Sequence, residues 1–181
     1  MLLQMGDILL AHTADLAASD LQAGRALLYD VFDDMTEADW EHCLGGVHAL
    51  ARGDGGEVIG HASVVMRRLI HGGRALRAGY VEGVAVRADH RGRGLGAALM
   101  APLERLIRDA YELGALGASD LAVSFYAHRG WQPWKGPTFA LTPNGVLRTP
   151  DEDDGIFVLP GSAPLDLTGA LTCDWRDGEC W

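Results

Sequence analysis

GYVEGVAVRADHRGRGLG, residues Gly79–Gly96, joins two periodicities in one short stretch. The run Tyr80–Val86 is mostly apolar and typical of a β-strand, whereas Gly94–Tyr111 repeats its apolar residues with a helical period. Backbone N–H groups at a helix N-terminus carry partial positive charge, and glycines let an anion approach them closely. The glycines of Arg91–Gly96 lie at this junction. The stretch therefore predicts a phosphate-binding loop between a strand and a helix.

Glu82 lies inside the predicted strand, where an unpaired carboxylate is costly to bury. Because strand side chains alternate between two faces, we expect Glu82, Val84 and Val86 to face the same way. A carboxylate beside a phosphate-binding loop is a candidate general base. The alternative is an ion pair with an arginine such as Arg68 or Arg77.

The composition is that of a soluble globular protein, with 181 residues, 48% of them hydrophobic and 22% charged. This length suits one domain spanning residues 1–181. No apolar run reaches the roughly 20 residues of a membrane helix, and the N-terminus lacks the features of a signal peptide. The three cysteines form no C-x-x-C pair, which favours reduced thiols. We expect a cytoplasmic protein that binds no membrane.

The net charge is −10, which argues against nucleic acid as a partner. The acidic balance fits either general solubility or attraction of a cationic substrate. Arginines nevertheless cluster at the glycine loop, at positions 87, 91 and 93. A small basic region in an acidic chain suggests two ligands, one negatively and one positively charged. The histidines lack metal-ligand spacings such as H-E-x-x-H, so we expect no metal and interpret them as surface or capping residues.

The periodicities predict an α+β fold with a mostly antiparallel sheet. We expect Thr13 or Asp15 to cap the first helix, Thr36 to begin a capping box with Asp39, and Asp120 to cap the last helix. Pro102 should kink or split the third helix. The tail after Leu159 has little pattern but is apolar enough to pack. Predicted strands are Ile8–His12, Val47–Arg52, Glu57–Ile70, Ala75–Val86, Leu113–Ala118, Trp131–Leu141 and Ile156–Leu159; predicted helices are Leu16–Phe32, Thr36–Leu44, Gly94–Tyr111 and Leu121–His128.

The glycine loop resembles the central motif of the GNAT N-acetyltransferase superfamily, [RQ]-x-x-G-x-[GA], with Arg91, Gly94 and Gly96 at its defining positions. The resemblance implies the GNAT acyl-CoA N-acyltransferase fold, whose central, mostly antiparallel mixed sheet is splayed at the cofactor site and flanked by helices. It also implies that the loop binds the pyrophosphate of acetyl-CoA and that the strand backbone binds the pantetheine arm. The cofactor-binding residues assigned in this way are Val84, Ala85, Val86, Arg91, Gly92, Arg93, Gly94, Leu95 and Gly96.

A second segment, SFYAHRGW, resembles the superfamily ending A-x-x-x-Y-x-x-x-G-[WF]. Tyr126, Gly130 and Trp131 match its defined positions. The resemblance implies that Tyr126 is the acid that protonates the CoA thiolate. The alternative is a half-buried packing residue.

Over nearly its whole length the chain resembles the aminoglycoside 2′-N-acetyltransferases, in segments that include HTADL, DWEH, GYVEGVAVRAD, RTPD and CDWR. The resemblance implies acetyl transfer to a 2′-amino group of these antibiotics, hence resistance, and makes a homodimer plausible. Because aminoglycosides are polycations, we expect carboxylates to line the acceptor pocket. The resemblance assigns to it Asp34, Asp39, Glu82, Glu152, Glu179 and the terminal carboxylate of Trp181.

Other interpretations stay open at this point. Asp39 could be a helix-cap charge, and the acidic run at 151–154 could be a solvated loop. Glu152 and Glu179 stand where aspartates are expected, which keeps the charge but lengthens the reach. The acceptor could instead be a cell-wall sugar, a polyamine or a peptide amine, or the protein could bind CoA without catalysis.

Overall fold

The computed structural model describes residues 8–181, which form two compact units. The first unit comprises Met1–Val65 and Glu82–Arg105, and the second comprises Met66–Val81 and Leu106–Trp181. None of the helices in the described part is long and apolar enough to cross a membrane. The segment interpreted as lacking a signal peptide begins in residues 1–7, outside the described residues. The expectation of one domain stays a prediction.

The first unit packs two helices beside antiparallel strands. Strands β1 (Leu9–His12) and β2 (Val47–Arg52) pair with each other, and β2 pairs with the first part of β3 (Val58–His71). Between β1 and β2 lie α1 (Ala18–Val31) and α2 (Glu37–His42). Their apolar faces bury a common core. The buried members of this core are Leu27, Leu28, Trp40, Cys43, Leu50, Val58 and Ala85.

The second unit contains most of a mixed sheet. Besides the end of β3, its strands are β4 (Arg74–Val86), β5 (Leu113–Gly117), β6 (Gln132–Pro133), β7 (Thr138–Thr142), β8 (Gly145–Arg148), β9 (Ile156–Pro160) and β10 (Leu171–Cys173). The strand order is β6-β9-β5-β4-β3-β10-β7-β8. A turn with positive φ at Gly72 and Gly73 joins β3 to β4 (Arg74–Val86). The pairs β4–β5 and β10–β7 are parallel, and the pairs β5–β9, β6–β9, β7–β8 and β10–β3 are antiparallel. Two helices accompany these strands, α3 (Leu95–Ala110) and α4 (Val123–His128).

Helix α3 (Leu95–Ala110) runs without interruption through Pro102. Of the two outcomes predicted for Pro102, a split is therefore wrong, and a kink stays a prediction. An interior proline costs about 3 kcal/mol. Full burial of Leu99, Met100 and Leu103 on the same helix contributes about 1.5–3 kcal/mol for each side chain, which outweighs that cost.

The helix caps were predicted correctly in one case of three. The capping box is confirmed, because the Thr36 hydroxyl accepts from the Asp39 N–H while Asp39 accepts from the Thr36 N–H. Helix α1 instead begins after Ala17, without a side-chain cap. The Thr13 hydroxyl is not available to it, because it bonds to His48 and Gly45.

The other correction concerns the last helix. Asp120 lies in a 3-10 turn, Asp120–Ala122, and α4 starts after Ala122 with no side-chain cap. Gly130, with φ +89°, follows the end of the helix in a left-handed conformation.

The C-terminal tail is more ordered than its sequence indicates. Strand β10 inserts between β3 and β7, and the Trp134 indole N–H donates to the Gly169 carbonyl at 3.0 Å. The predicted strand Trp131–Leu141 is divided into β6 and β7. Gly136 lies in the break, where a Cβ would meet the Gly169 carbonyl oxygen at 2.0 Å. The tail therefore approaches the preceding loop at backbone contact.

Candidate active site

The sequence-predicted site residues fall into two groups, one in each unit. The first unit holds the glycine loop, the strand residues Glu82 and Val84–Val86, and two acids, Asp34 and Asp39. The second unit holds Tyr126, Glu152, Glu179 and Trp181. Each group has its own geometry.

The glycine loop is open and leads directly into α3. Gly92 and Gly94 have φ values of +73° and +81°, which side chains rarely adopt, and nothing lies within 4 Å of the position of a Cβ at either residue. The Ala98 N–H donates to the Gly94 carbonyl at 3.0 Å. The backbone N–H groups of Leu95, Gly96 and Ala97 thus precede the first hydrogen bond of the helix. An exposed cradle of this kind fits a pyrophosphate group.

Arg91 and Arg93 supply the basic charge of this loop. Arg87, which we grouped with them, is neutralised by Asp89 through a hydrogen bond of 2.8 Å. Arg91 donates from Nε to the Val86 carbonyl at 2.9 Å, which ties the loop to the end of β4. Within residues 8–181, neither Arg91 nor Arg93 forms an ion pair with a carboxylate. Both exposed guanidinium groups therefore suit an anionic ligand.

Glu82 is half-buried and is followed by an irregularity in β4. Gly83 has φ +57° inside the strand, a left-handed conformation found at β-bulges. A Cβ there would lie 2.8 Å from Cys43 Sγ and 3.0 Å from Leu28 Cδ1, so only glycine fits. Because regular alternation stops at Gly83, the expectation that Glu82 and Val84 share a face no longer follows from strand period alone.

Two histidines correct the interpretation of the histidines as surface or capping residues. His48 is 1% exposed and His61 0% exposed, and their rings bond at 3.0 Å between His48 Nδ1 and His61 Nε2. Desolvation by burial lowers both pKa values to about 4, so both rings are neutral near pH 7. The sequence did contain a signal, since each histidine stands between apolar residues of a core strand.

The two acids near α2, Asp34 and Asp39, differ in exposure and in hydrogen bonding. Asp34 is exposed, and Asp39 is half-buried. One oxygen of Asp39, Oδ2, accepts from the backbone N–H and the hydroxyl of Thr36, at 2.8 and 2.7 Å. The cap role that the sequence left open for Asp39 is thus present, and it uses that one oxygen.

Tyr126 is buried rather than half-buried, with 5% of its surface exposed. Its ring contacts Trp131 edge-on, with 6.0 Å between ring centroids, and Phe125 at 5.1 Å. The Trp131 N–H donates to the Tyr126 carbonyl at 3.2 Å across the turn at Gly130. These contacts hold the phenol ring in a fixed orientation.

The acidic loop after β8 divides into two kinds of carboxylate. Asp153 pairs with Arg148 and accepts from the Thr138 hydroxyl at 3.0 Å, and these bonds lower its pKa to about 2. Glu152 is half-buried, and its pKa is raised, first by burial and then by the charge of Glu179. Glu179 therefore lies near enough to Glu152 for its charge to act on that pKa.

Two arginines that the sequence reasoning missed hold the C-terminus. Arg67 is 4% exposed and donates from Nη2 to the Cys180 carbonyl at 2.7 Å. Arg176 donates from Nη2 to the terminal oxygen of Trp181 at 2.7 Å. The Trp181 indole N–H donates to the Thr149 hydroxyl at 3.0 Å. The terminal carboxylate is therefore fixed from several directions. In the described range, no cluster of His, Cys, Asp and Glu could hold a metal ion.

Comparisons with known proteins bear on the family and the fold. The model of the Acetyltransferase (GNAT) family matches residues 12–131. An aminoglycoside 2′-N-acetyltransferase of Mycolicibacterium fortuitum is 51% identical over 177 residues, which cover 95% of this chain and 90% of that protein. A GNAT family N-acetyltransferase from Escherichia coli, solved in complex with CoA, superposes with a TM-score of 0.64 at 19% identity, covering 96% of this chain and 94% of that one.

An acyl-CoA N-acyltransferase from Pseudomonas aeruginosa gives a TM-score of 0.60 at 18% identity, covering 84% of this chain and 98% of that one. Both solved structures confirm the predicted fold, and the resemblance to the aminoglycoside 2′-N-acetyltransferases is confirmed by the relative that matches nearly end to end. The chain therefore belongs to the GNAT acetyltransferase family.

Proposed function

We propose that this protein transfers the acetyl group of acetyl-CoA to the 2′-amino group of an aminoglycoside and thereby gives resistance to that antibiotic. The observation that carries the proposal is the 51% identity, over 95% of the chain, to an aminoglycoside 2′-N-acetyltransferase. The alternative of a protein that only binds CoA is not favoured by any observed feature.

The donor site uses the glycine loop. The pyrophosphate accepts from the backbone N–H groups at the start of α3, and Arg91 and Arg93 add positive charge. The backbone of Val84, Ala85 and Val86 pairs with the pantetheine arm. The open cradle at Gly92 and Gly94 supports this assignment, because a Cβ at either position would stand in the space that the anion needs.

The chemistry needs a base and an acid, because an alkylammonium group is mostly protonated near pH 7. Acetyl-CoA supplies the acetyl group as a thioester. Glu82 accepts the proton of the acceptor ammonium, directly or through a water molecule. The freed amine nitrogen forms a bond to the acetyl carbon while the carbon–sulfur bond breaks. Tyr126 gives a proton to the departing sulfur, and each proton transfer typically contributes about 10²–10⁴-fold to the rate.

The acceptor is a polycation, and carboxylates recognise it. We assign Asp34, Asp39, Glu82, Glu152, Glu179 and the terminal carboxylate of Trp181 to its recognition. The environment of Glu152 supports this assignment, because its pKa is raised by burial and then by repulsion from the charge of Glu179. A bound ammonium group relieves that repulsion. Paired acids with a perturbed pKa are a frequent mark of a functional site.

The test is regiochemical. Release of CoA thiol from acetyl-CoA is expected with acceptors that carry a 2′-amine and not with matched 2′-hydroxyl compounds. Equal rates with both would refute the proposed position of transfer. Glu82→Gln should lower turnover and displace its pH dependence, while Asp120→Asn, at an exposed residue outside the proposed site, serves as control.

A screen of sugar, polyamine and peptide amines tests the remaining acceptor classes. We further propose a single, cytoplasmic domain that acts without membrane or nucleic acid. Light scattering tests the predicted homodimer.

A further inference from the structure

A buried chain of hydrogen bonds ends beside the candidate base, and its direction can be derived from one end. The Gly83 carbonyl oxygen can only accept, so His61 Nδ1, at 2.7 Å from it, must carry a proton and donate. A neutral histidine that donates from Nδ1 accepts at Nε2. His48 Nδ1, 3.0 Å away, must therefore donate to His61.

The same reasoning fixes the rest of the chain. His48 Nε2 must accept, and the Thr13 hydroxyl at 2.8 Å is its donor. The hydroxyl has one proton, so its longer contact of 3.3 Å to the Gly46 carbonyl does not compete. The Thr13 oxygen in turn accepts from the Gly45 N–H at 2.9 Å. Every ring nitrogen is satisfied with both histidines neutral and in the Nδ1–H form.

The left-handed conformation of Gly83 explains why β4 needs such donors. It interrupts the extended geometry of the strand, so nearby carbonyls need other partners. Side chains of β3 supply them, since His61 donates to the Gly83 carbonyl and the Ser63 hydroxyl donates to the Glu82 carbonyl at 3.4 Å. The peptide groups on the carboxyl side of Glu82 and of Gly83 are thus held by side chains.

Packing prevents the rings from turning away. The His48 and His61 rings meet edge-on with 5.2 Å between centroids, and the Trp40 ring lies 6.4 and 6.1 Å from them. The backbone of α1 passes close by, because a Cβ at Gly24 would stand 3.2 Å from His61 Cδ2. The histidines therefore keep the orientation that the chain requires.

We propose that Thr13, His48 and His61 form a positioning chain that fixes the Gly83 carbonyl and, with it, the backbone that carries Glu82. The chain ends at a carbonyl, which neither gains nor loses a proton, so its role is orientation and not proton transfer. The inference deepens the proposed function, because its catalytic consequence rests on Glu82 as base. Its structural part can be tested without any activity.

The first experiment is ¹H–¹⁵N NMR of the wild-type protein, with correlations from ring protons to ring nitrogens, near neutral pH. His48 and His61 are both expected with a proton on Nδ1 and none on Nε2, although the opposite tautomer is the usual one for a free imidazole. A proton on Nε2 of His61, or a cationic ring at either position, overturns the positioning chain. This result does not depend on the acceptor.

The second experiment compares His61→Asn with His61→Leu. Asparagine keeps an N–H group near the place of Nδ1, whereas leucine removes the donor and leaves the Gly83 carbonyl unpaired. Leucine is expected to lower kcat by about ten- to a hundredfold, as for small misplacements of a reacting group. The same peptide group carries the Val84 N–H, which is assigned to the pantetheine arm, so the Michaelis constant for acetyl-CoA is expected to rise as well. Asparagine is expected to restore most of both values.

Leu28→Ala is the matched control, because it loosens the core beside Gly83 without removing a donor. It should reduce the free energy of unfolding and leave kcat near the wild-type value. A loss of kcat that follows stability alone across these variants overturns the positioning role. A displaced acid limb of the kcat–pH profile in the asparagine variant overturns it too, because that result assigns proton transfer to the chain. Absence of acetyl transfer in the wild type would instead refute the proposed function and leave the tautomer result standing.

Discussion

Replacing Gly83 with alanine tests whether β4 requires a glycine at this position, for its left-handed conformation and for the space around it. The residue has φ +57°, and the added Cβ would lie 2.8 Å from Cys43 Sγ and 3.0 Å from Leu28 Cδ1. A left-handed conformation costs a non-glycine residue about 1–2 kcal/mol, and overpacking a core typically costs about 1–3 kcal/mol. We therefore expect the free energy of unfolding to fall by about 2–5 kcal/mol.

The assay is urea unfolding followed by tryptophan fluorescence, with Gly72→Ala as the matched control. Gly72 has nearly the same φ, +56°, but nothing lies within 4 Å of its Cβ position. The control should therefore show only the conformational cost of about 1–2 kcal/mol. Equal destabilisation by the two substitutions would refute the argument, because it would mean that the Cβ at position 83 meets no resistance.

Three further predictions concern pH and the tail. The pKa values of His48 and His61 are lower in the folded than in the unfolded chain. Their contribution to the free energy of unfolding is therefore fully present above about pH 6.5 and is lost as the pH falls towards 4, by about 3 kcal/mol for each histidine. Urea unfolding at several pH values measures this loss, and a flat profile contradicts it. Arg67→Met should raise the Michaelis constant for the aminoglycoside but not for acetyl-CoA, because it frees the Cys180 carbonyl, and steady-state kinetics with each substrate varied should show this split. A residue added after Trp181 converts its carboxylate to an amide and moves the terminal charge away from the position that Arg176 holds. It should weaken acceptor binding in calorimetry, whereas an N-terminal addition of equal size should not.

Sequence reasoning predicted what is local. The strand, loop and helix around Arg91 depend on neighbouring residues and on glycines whose positive φ is a property of the chain itself. The capping box at Thr36 is local as well, since it closes within four residues. The cap predicted for Thr13 failed because a partner 35 residues away, His48, takes its hydroxyl.

What the sequence could not predict depends on pairing between distant segments. Arg67 donates a hydrogen bond to the Cys180 carbonyl, 113 residues away in the chain. The periodicity of the sequence does not predict a contact between such distant residues. Strand β10 has three residues, too few for a recognisable alternation of apolar and polar residues. It is a strand because it pairs with β3 on one side and with β7 on the other. The apolar neighbours of His48 and His61 indicate burial, but the hydrogen bond between the two rings could not be predicted, because it requires the register of β2 on β3.

The carboxylates of the candidate site are not equally available to a cation. Asp39 has one oxygen engaged by the helix cap, and the terminal carboxylate of Trp181 is partly neutralised by Arg176. Glu152 differs from both, since the causes that most raise its pKa are burial and like charge. An ammonium group beside Glu152 would favour the ionised carboxylate. The resulting gain in binding free energy would be larger than at Asp39 or at the terminal carboxylate, which already have partners. Because Asp153 is tied to Arg148, the adjacent backbone holds Glu152 in place. The same acidic loop therefore provides both the anchor and a carboxylate that the charge of Arg176 compensates only in part.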